Sequence, residues 1–228
     1  MTLSRIGGLA ALICAATYLI GVALLVTALA PLGFGTSDID AAAVVAFIDA
    51  KPGLMIAWNT TIYVVNALAL AVIAVALSDR LSPLPGWAAV ARAFGLIWAA
   101  LVLAAGMIAN VAVERAALLF PDDPEAAAEI WATLHAVELG LGGGNEIAGG
   151  VWILCVSIAA ARSGLLPSVA IALGVLTGLG GLVTVVPALG DAAGAAFGLG
   201  AIAWFTAVGV ALALRGGIAP AGPEGGIA

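Results

Sequence analysis

The sequence predicts an all-α fold, a polytopic transmembrane bundle of six helices. Of the 228 residues, 64% are hydrophobic and only 9% are charged. A soluble domain carries about 25% charged residues, so this composition is typical of a polytopic membrane protein. The apolar residues also form runs of the length that a bilayer requires, about 20 residues each. Short loops that contain proline, glycine or aspartate separate these runs.

The first transmembrane helix is predicted at residues 6–30, directly after Arg5. Ala28 and Ala30 imitate a signal-peptidase site, but the apolar run is longer than the core of about 7–15 residues that a secretory signal has. Pro31 also follows immediately after the supposed cleavage point. We therefore interpret this run as a helix that spans the membrane.

A short amphipathic helix on the outer surface is predicted next, at Ala41–Ala50. Ser37 and Asp40 have the spacing of a capping box, and Pro52 ends the helix. Its larger apolar side chains share one face: Val44, Val45 and Ile48. A helix with one apolar face lies in the plane of the membrane surface.

Five further spans complete the prediction, at residues 54–77, 88–113, 124–164, 168–189 and 193–214. Asp123 is expected to cap the fourth of the six spans, with Pro124 at its first position. Residues 1–215 therefore form a single transmembrane domain. Residues 216–228 are rich in glycine and proline and are expected to be a flexible cytoplasmic tail.

The basic residues predict that both termini are cytoplasmic. Basic residues concentrate in cytoplasmic loops, and an even number of spans brings both ends to the same side. With the N-terminus inside, five basic residues lie inside and two lie outside. The inner set is Arg5, Arg80, Arg92, Arg162 and Arg215, and the outer set is Lys51 and Arg115.

Several classes of protein are excluded by residue counts. Cys14 and Cys155 both fall inside apolar runs, which argues against a disulfide framework. The single histidine, His135, excludes bis-histidine haem ligation by this chain alone. The net charge of −6 gives no reason to expect a nucleic acid as partner. We expect no cofactor.

The best functional candidates are polar side chains inside the apolar spans. On one straight helix, six positions of the fourth span fall within an arc of about 100°: His135, Glu138, Gly142, Asn145, Glu146 and Gly149. Ionisable groups at membrane depth usually face the bundle interior or a wet cavity. We predict a ligand or proton pathway formed by His135, Glu138, Asn145 and Glu146 on the fourth span, Asn59, Tyr63 and Asn66 on the second, and Asn110 and Glu114 on the third.

Two interpretations of His135 and Glu138 remain open. Three residues apart, they share a helix face and form either a hydrogen-bonded pair at the outer rim or a proton-linked, substrate-orienting pair. A metal site would need further ligands, such as Asn110 or Glu114 at the same level. The sequence contains no H-E-x-x-H zinc motif, so we expect no metal.

Glu146 is expected near mid-membrane, about 16 Å below His135 along a straight helix. Tyr63 and Asn66 are its predicted partners. An alternative is that the asparagines only hold helices together through hydrogen bonds.

Glycines suggest two different roles. Gly174 and Gly178, and also Gly190, Gly194 and Gly198, recur every four residues and predict close packing of the fifth and sixth spans. Gly140 and residues 142–144 stand in the middle of the fourth span. They either admit a neighbouring helix or break the helix and free backbone carbonyls for a ligand.

Three short patterns carry a resemblance to a known family. They are Arg5-x-x-Gly-Leu before the first span, Arg92-x-x-x-Leu-Ile-Trp in the third, and Ala161-Arg-Ser-Gly-Leu-Leu-Pro167 between the fourth and fifth. In these, and over most of its length, the chain resembles an uncharacterised bacterial membrane family, domain of unknown function 4386. The resemblance implies about six spans and a multi-pass protein of the bacterial cytoplasmic (inner) membrane. It transfers no catalytic residue.

Three classes of function remain. The first is a protein with an outward-facing polar cavity, formed by spans two to four, that binds or conducts a small solute, proton or lipid. The second is an intramembrane enzyme that uses His135 and a glutamate as acid and base on a lipophilic substrate. The third is an accessory or structural subunit. The absence of a clear inverted repeat weakens the transporter hypothesis. The expected partners are the lipid bilayer, a small-molecule or lipid ligand, and a second copy of the chain or another subunit.

Overall fold

The computed structural model describes residues 2–34, 39–143 and 146–215, and within these ranges it contains helices and turns but no strand. Ser37, Asn145 and the predicted tail at residues 216–228 lie outside the described residues. The helices are α1 (Leu3–Leu25), α2 (Ala41–Ala50), α3 (Pro52–Arg80), α4 (Pro85–Leu119), α5 (Pro124–Glu138), α6 (Ile147–Ser163), α7 (Ser168–Val183) and α8 (Gly190–Arg215).

Five stretches of the described chain are long and apolar enough to cross a membrane. They are α1, α3, α4, the continuous stretch Pro124–Ser163, and Pro187–Leu214. The described part of the chain is thus a helical bundle whose long apolar helices fit a multi-pass membrane protein. The predicted fifth span, residues 168–189, contains α7, which has 16 residues and is not among the five. At 1.5 Å per residue α7 is about 24 Å long, against a hydrocarbon core of about 30 Å.

Helix α4 is longer than predicted. It has 35 residues, whereas the sequence pattern suggested a span at residues 88–113. The difference lies mainly after Val113, where Glu114 and Arg115 are followed by alanines and leucines. These residues favour helix and none breaks it, so the helix continues after the apolar span ends.

The helices form a closed ring. Helix α1 packs against α3 and α8, α3 packs against α4, and α4 contacts both α5 and α6. The ring then continues from α6 through α7 to α8. Every transmembrane helix therefore has one face toward the interior and one toward lipid, as the exposed leucines and valines on α1, α7 and α8 indicate.

Helix starts follow from local chemistry. The Asp123 carboxylate accepts a hydrogen bond from the Ala126 N–H at 3.0 Å, and Pro124 occupies the first turn, which confirms the predicted cap of α5. For α2 the cap is Asp40, whose carboxylate accepts from the N–H groups of Ala42 and Ala43. Asp40 is therefore the N-cap itself and not the third helical residue of a capping box.

Two apolar clusters fill the interior. The tryptophan cluster contains Trp98, Trp152, Trp204, Phe197 and Phe205, all buried where α1, α3, α4 and α6–α8 meet. The α2 cluster combines the predicted apolar face of α2 with residues of α3, α4 and α5: Val44, Val45, Ile48, Met55, Trp58, Val113 and Trp131. The apolar face of α2 is thus buried against the other helices, whereas the sequence predicted that it lies on the membrane surface.

The glycine prediction is half right. A Cβ at Gly178 would lie 2.5 Å from Leu154 Cγ and 2.8 Å from the carbonyl oxygen of Gly150, and one at Gly174 would lie 2.5 Å from Trp204 Nε1. These glycines let α7 approach α6 and α8. Gly194 and Gly198, by contrast, have open space where a Cβ would point, so their predicted packing role is wrong. Spacing by four reveals a shared helix face but not what covers it.

Candidate functional site

The second span contains a π-helical turn at Thr60–Val65, which positions Tyr63. Such a turn inserts an i→i+5 step and rotates the residues that follow it. Tyr63 and Asn66 contact different helices. Asn59 is buried, Tyr63 contacts α5, and the Asn66 side-chain amide donates to Thr17 Oγ1 on α1 at 2.7 Å.

The fourth predicted span is not one straight helix. A π-helical turn at Leu139–Gly143 follows α5, and Gly142 has φ 144°, outside the helical region. A Cβ at Gly140 would meet open space, so this glycine does not admit a neighbouring helix. The break is therefore the interpretation that the structure supports. The continuous polar stripe predicted from a straight helix does not exist in that form.

Glu138 is the centre of the polar site. Its side chain is buried, with the whole residue only 3% exposed. The Tyr63 hydroxyl donates to Glu138 Oε1 at 2.5 Å, and His135 Nδ1 lies 2.6 Å from Oε2. A carboxylate only accepts hydrogen bonds, so Nδ1 of His135 is the donor in its contact with an ionised Glu138. The predicted His–Glu pair is confirmed, and Tyr63 joins it from α3.

Aromatic rings enclose the imidazole of His135. The Trp131 ring stacks on it with centroids 4.8 Å apart and planes at 17°. The Phe34 ring meets it edge-on at 6.1 Å and also contacts Trp58 at 5.3 Å. His135 Nε2 is buried and has no hydrogen-bond partner among the described residues. Sequence reasoning missed this aromatic enclosure, although Trp131 precedes His135 by one helical turn.

Glu146 begins α6 just after the break. Its backbone N–H donates to Thr184 Oγ1 at 3.1 Å, which ties the start of α6 to the end of α7. Its side chain is partly buried. The predicted contact with Asn66 is wrong, because that amide bonds to Thr17.

The candidates on the third span are not part of the hydrogen-bonded group of His135, Glu138 and Tyr63. Asn110 donates from Nδ2 to Thr60 Oγ1 at 3.1 Å, and Glu114 is exposed. Within residues 2–34, 39–143 and 146–215, no group of three or more His, Cys, Asp and Glu side chains has the arrangement of a metal site.

The side chains that the structure brings together are all proton donors or acceptors. An imidazole, a carboxylate and a phenol follow one another by direct hydrogen bonds. Chains of Asp, Glu and His at membrane depth serve as proton relays or as binding sites for polar solutes. Gly106 on α4 leaves the space that Tyr63 occupies in this group, because a Cβ there would collide with the Tyr63 side chain.

Comparison of the chain with protein-family models, curated proteins and solved structures gives no match. The resemblance to the bacterial family of unknown function stays a prediction.

Proposed function

We propose that this integral membrane protein binds or conducts a small polar solute, first of all a proton, through an outward-facing site centred on Glu138. One observation carries the proposal: the buried Glu138 carboxylate is held between Tyr63 and His135 at 2.5 and 2.6 Å, while His135 Nε2 has no partner among the described residues. In this view the protein is a multi-pass protein of a bacterial cytoplasmic membrane.

The proposed topology has six spans and two cytoplasmic termini. It treats α7, with its 16 residues, as a sixth and shorter crossing. The arginines at the ends of α3 and α6 then lie inside, and the α4–α5 turn with Asp122 and Asp123 lies outside. This arrangement agrees with the positive-inside rule.

The proton path follows the hydrogen bonds. A proton that arrives at His135 Nε2 makes the imidazole cationic, and the Nδ1 proton then passes to Glu138 Oε2. The Tyr63 hydroxyl donates to Oε1 of the same carboxyl group and so stabilises the carboxylate that receives this proton. The groups of the path are thus His135 and Glu138, with Tyr63 as the hydrogen-bond donor that holds the Glu138 carboxylate in place.

A purely structural role explains the site less well. A buried polar atom without a hydrogen bond costs about 1–3 kcal/mol, so a packing contact has no reason to retain Nε2 in that state. A glutamine at position 138 would accept from Tyr63 and hold two helices together without the cost of burying a charge. An ionisable carboxyl group is required only if protons move or a cation binds.

Proton flux into proteoliposomes tests the proposal. A potassium gradient with valinomycin drives protons through the reconstituted protein, and a pH-sensitive dye reports their entry. We expect Glu138→Gln to lower the flux by about tenfold or more, as loss of a proton-transfer group does. Glu114→Gln is the matched control, because this exposed glutamate lies on α4 away from the site. A wild-type flux equal to that of empty liposomes, or an unaffected Glu138→Gln variant, rejects the proposal.

An acid–base enzyme is the second candidate. The Glu138 carboxylate fixes Nδ1 of His135 and leaves Nε2 as the free basic atom, which is the arrangement of a histidine general base. The apolar walls of Phe34, Trp58 and Trp131 suit a lipophilic substrate. If the wild type carries no proton flux but Phe34→Ala and Glu138→Gln both alter the turnover of a lipid ester, the enzyme interpretation is favoured.

A further inference from the structure

A second polar site lies at the opposite end of the bundle from His135. Arg80 is in the last turn of α3 and Arg162 is in the last turn of α6. Together with Ser163 and the turns at residues 83–84 and 164–165, they line an open cavity of about 340 Å³. This volume is at the small end of the range of ligand pockets, about 300–1,000 Å³.

Both arginines are available to a ligand. Within the described residues, neither arginine forms an ion pair with an acidic side chain. The ion pair found there joins His135 and Glu138. The Nε atom of Arg80 is buried and has no hydrogen-bond partner in the part of the chain that the structure describes. The Arg162 guanidinium is held 4.9 Å from the centroid of the Trp87 ring, which orients its plane while its N–H groups remain available.

Stabilisation of the two helix ends accounts for only part of the positive charge of Arg80 and Arg162. Each helix C-terminus carries about half a negative charge, so two of them offset roughly one of the two positive charges at the cavity. About one positive charge remains, and no carboxylate is among the described residues that line the cavity. Guanidinium groups bind phosphate oxygens in a bidentate manner, which a single point charge does not.

We propose that Arg80 and Arg162 bind a phosphate group, carried either by the headgroup of an anionic phospholipid or by free inorganic phosphate. Basic pockets between transmembrane helices at the cytoplasmic surface recognise lipid headgroups in this way. The site is separate from the Glu138 site and does not depend on the function proposed for it.

Two probes, phosphatidylglycerol and inorganic phosphate, distinguish a lipid headgroup from the free ion as the source of the phosphate group. The detergent-solubilised full-length protein is titrated with phosphatidylglycerol, with phosphatidylcholine and with inorganic phosphate, and bound lipid is counted by native mass spectrometry. We expect phosphatidylglycerol or inorganic phosphate to bind, and Arg162→Gln to weaken that binding about tenfold, because it removes charge-assisted hydrogen bonds to the phosphate. Preference for phosphatidylglycerol over inorganic phosphate identifies a lipid, and the reverse preference identifies the free ion.

Arg5→Gln is the matched control. Arg5 is exposed and lies at the same end of the bundle, because its neighbour Ser4 donates to the carbonyl oxygen of Leu212 near the end of α8. Arg5→Gln should leave binding unchanged. Arg162→Lys keeps the charge but loses the fork of donors, so it should bind more weakly than wild type and more tightly than Arg162→Gln. Equal losses with Arg5→Gln and Arg162→Gln, or no binding of either probe by the wild type, overturn the proposal.

Discussion

The Tyr63 hydroxyl and the Glu138 carboxylate, 75 positions apart in the sequence, are joined by a hydrogen bond of 2.5 Å. Each residue belongs to or adjoins a π-helical turn. Tyr63 lies within the turn Thr60–Val65, and Glu138 directly precedes the turn Leu139–Gly143. Turns of this kind frequently mark functional sites in helices, because they rotate one side chain out of the regular register. Here the rotated Tyr63 makes the contact on which the proposed proton path depends.

Removal of the Tyr63 hydroxyl should destabilise the protein. Tyr63→Phe keeps the ring and deletes one hydrogen bond to a buried carboxylate, so we expect the free energy of unfolding to fall by about 1.5–3 kcal/mol. Unfolding in mixed detergent micelles, followed by circular dichroism, measures this change. In the Glu138→Gln background the same substitution should cost less. Equal costs in the two backgrounds would show that the two side chains are not coupled.

The close approach of α4 to Tyr63 gives a second prediction. Gly106→Ala would drive its Cβ into the Tyr63 side chain, and overpacking of this kind costs about 1–3 kcal/mol. Displacement of Tyr63 should also lower proton flux. Gly86→Ala is the control on the same helix, because a Cβ at Gly86 meets open space. A Gly106→Ala protein with wild-type melting temperature and flux would mean that Tyr63 does not depend on this contact.

Gly142 and Gly140 form a matched pair two residues apart. Gly142 has φ 144°, so alanine there is strained by about 1–3 kcal/mol, whereas Gly140 has open space and no such backbone requirement. We expect Gly142→Ala to lower the melting temperature and Gly140→Ala to leave it unchanged or to raise it slightly. The result that contradicts the broken helix is equal tolerance of alanine at the two positions.

Most of the fold can be predicted from the apolar runs in the sequence, whereas the Glu138 site depends on the direction in which each side chain leaves its helix. Composition and run length predicted the helices, and the three-residue spacing predicted the contact of His135 with Glu138. The contact of Glu138 with Tyr63 could not be predicted, because a π-helical turn inside an apolar run has no clear sequence signal. Gly142 was recognisable as a candidate break, but the backbone conformation that a glycine adopts depends on its surroundings.

The glycine pattern failed on α8 for a related physical reason. Spacing by four places Gly194 on one helix face, but the structure leaves that face uncovered.

Gly178→Leu should therefore destabilise the protein by at least about 1–3 kcal/mol through overpacking against α6, and Gly194→Leu should have little effect. Thermal unfolding of the two variants in the same detergent decides the point, and a larger effect at Gly194 would contradict the structure.

Cysteine labelling tests the proposed topology. In a background with Cys14→Ser and Cys155→Ser, we expect Asp122→Cys to react with an impermeant maleimide in intact cells. Ser82→Cys should react only after lysis. Both positions are exposed in turns, Asp122 between α4 and α5 and Ser82 between α3 and α4, so accessibility of the side chain does not limit either reaction. The opposite pattern of labelling reverses the proposed orientation.

The most direct test of the account is ¹⁵N nuclear magnetic resonance of the imidazole in lipid bilayers. The chain has one histidine, so His135 alone contributes the two ring-nitrogen signals. We expect the proton on Nδ1 to exchange with the deuterons of a D₂O buffer, and Glu138→Gln to move the Nδ1 signal more than the Nε2 signal. An Nδ1 proton that does not exchange, together with imidazole signals that Glu138→Gln leaves in place, would exclude a proton path through this pair.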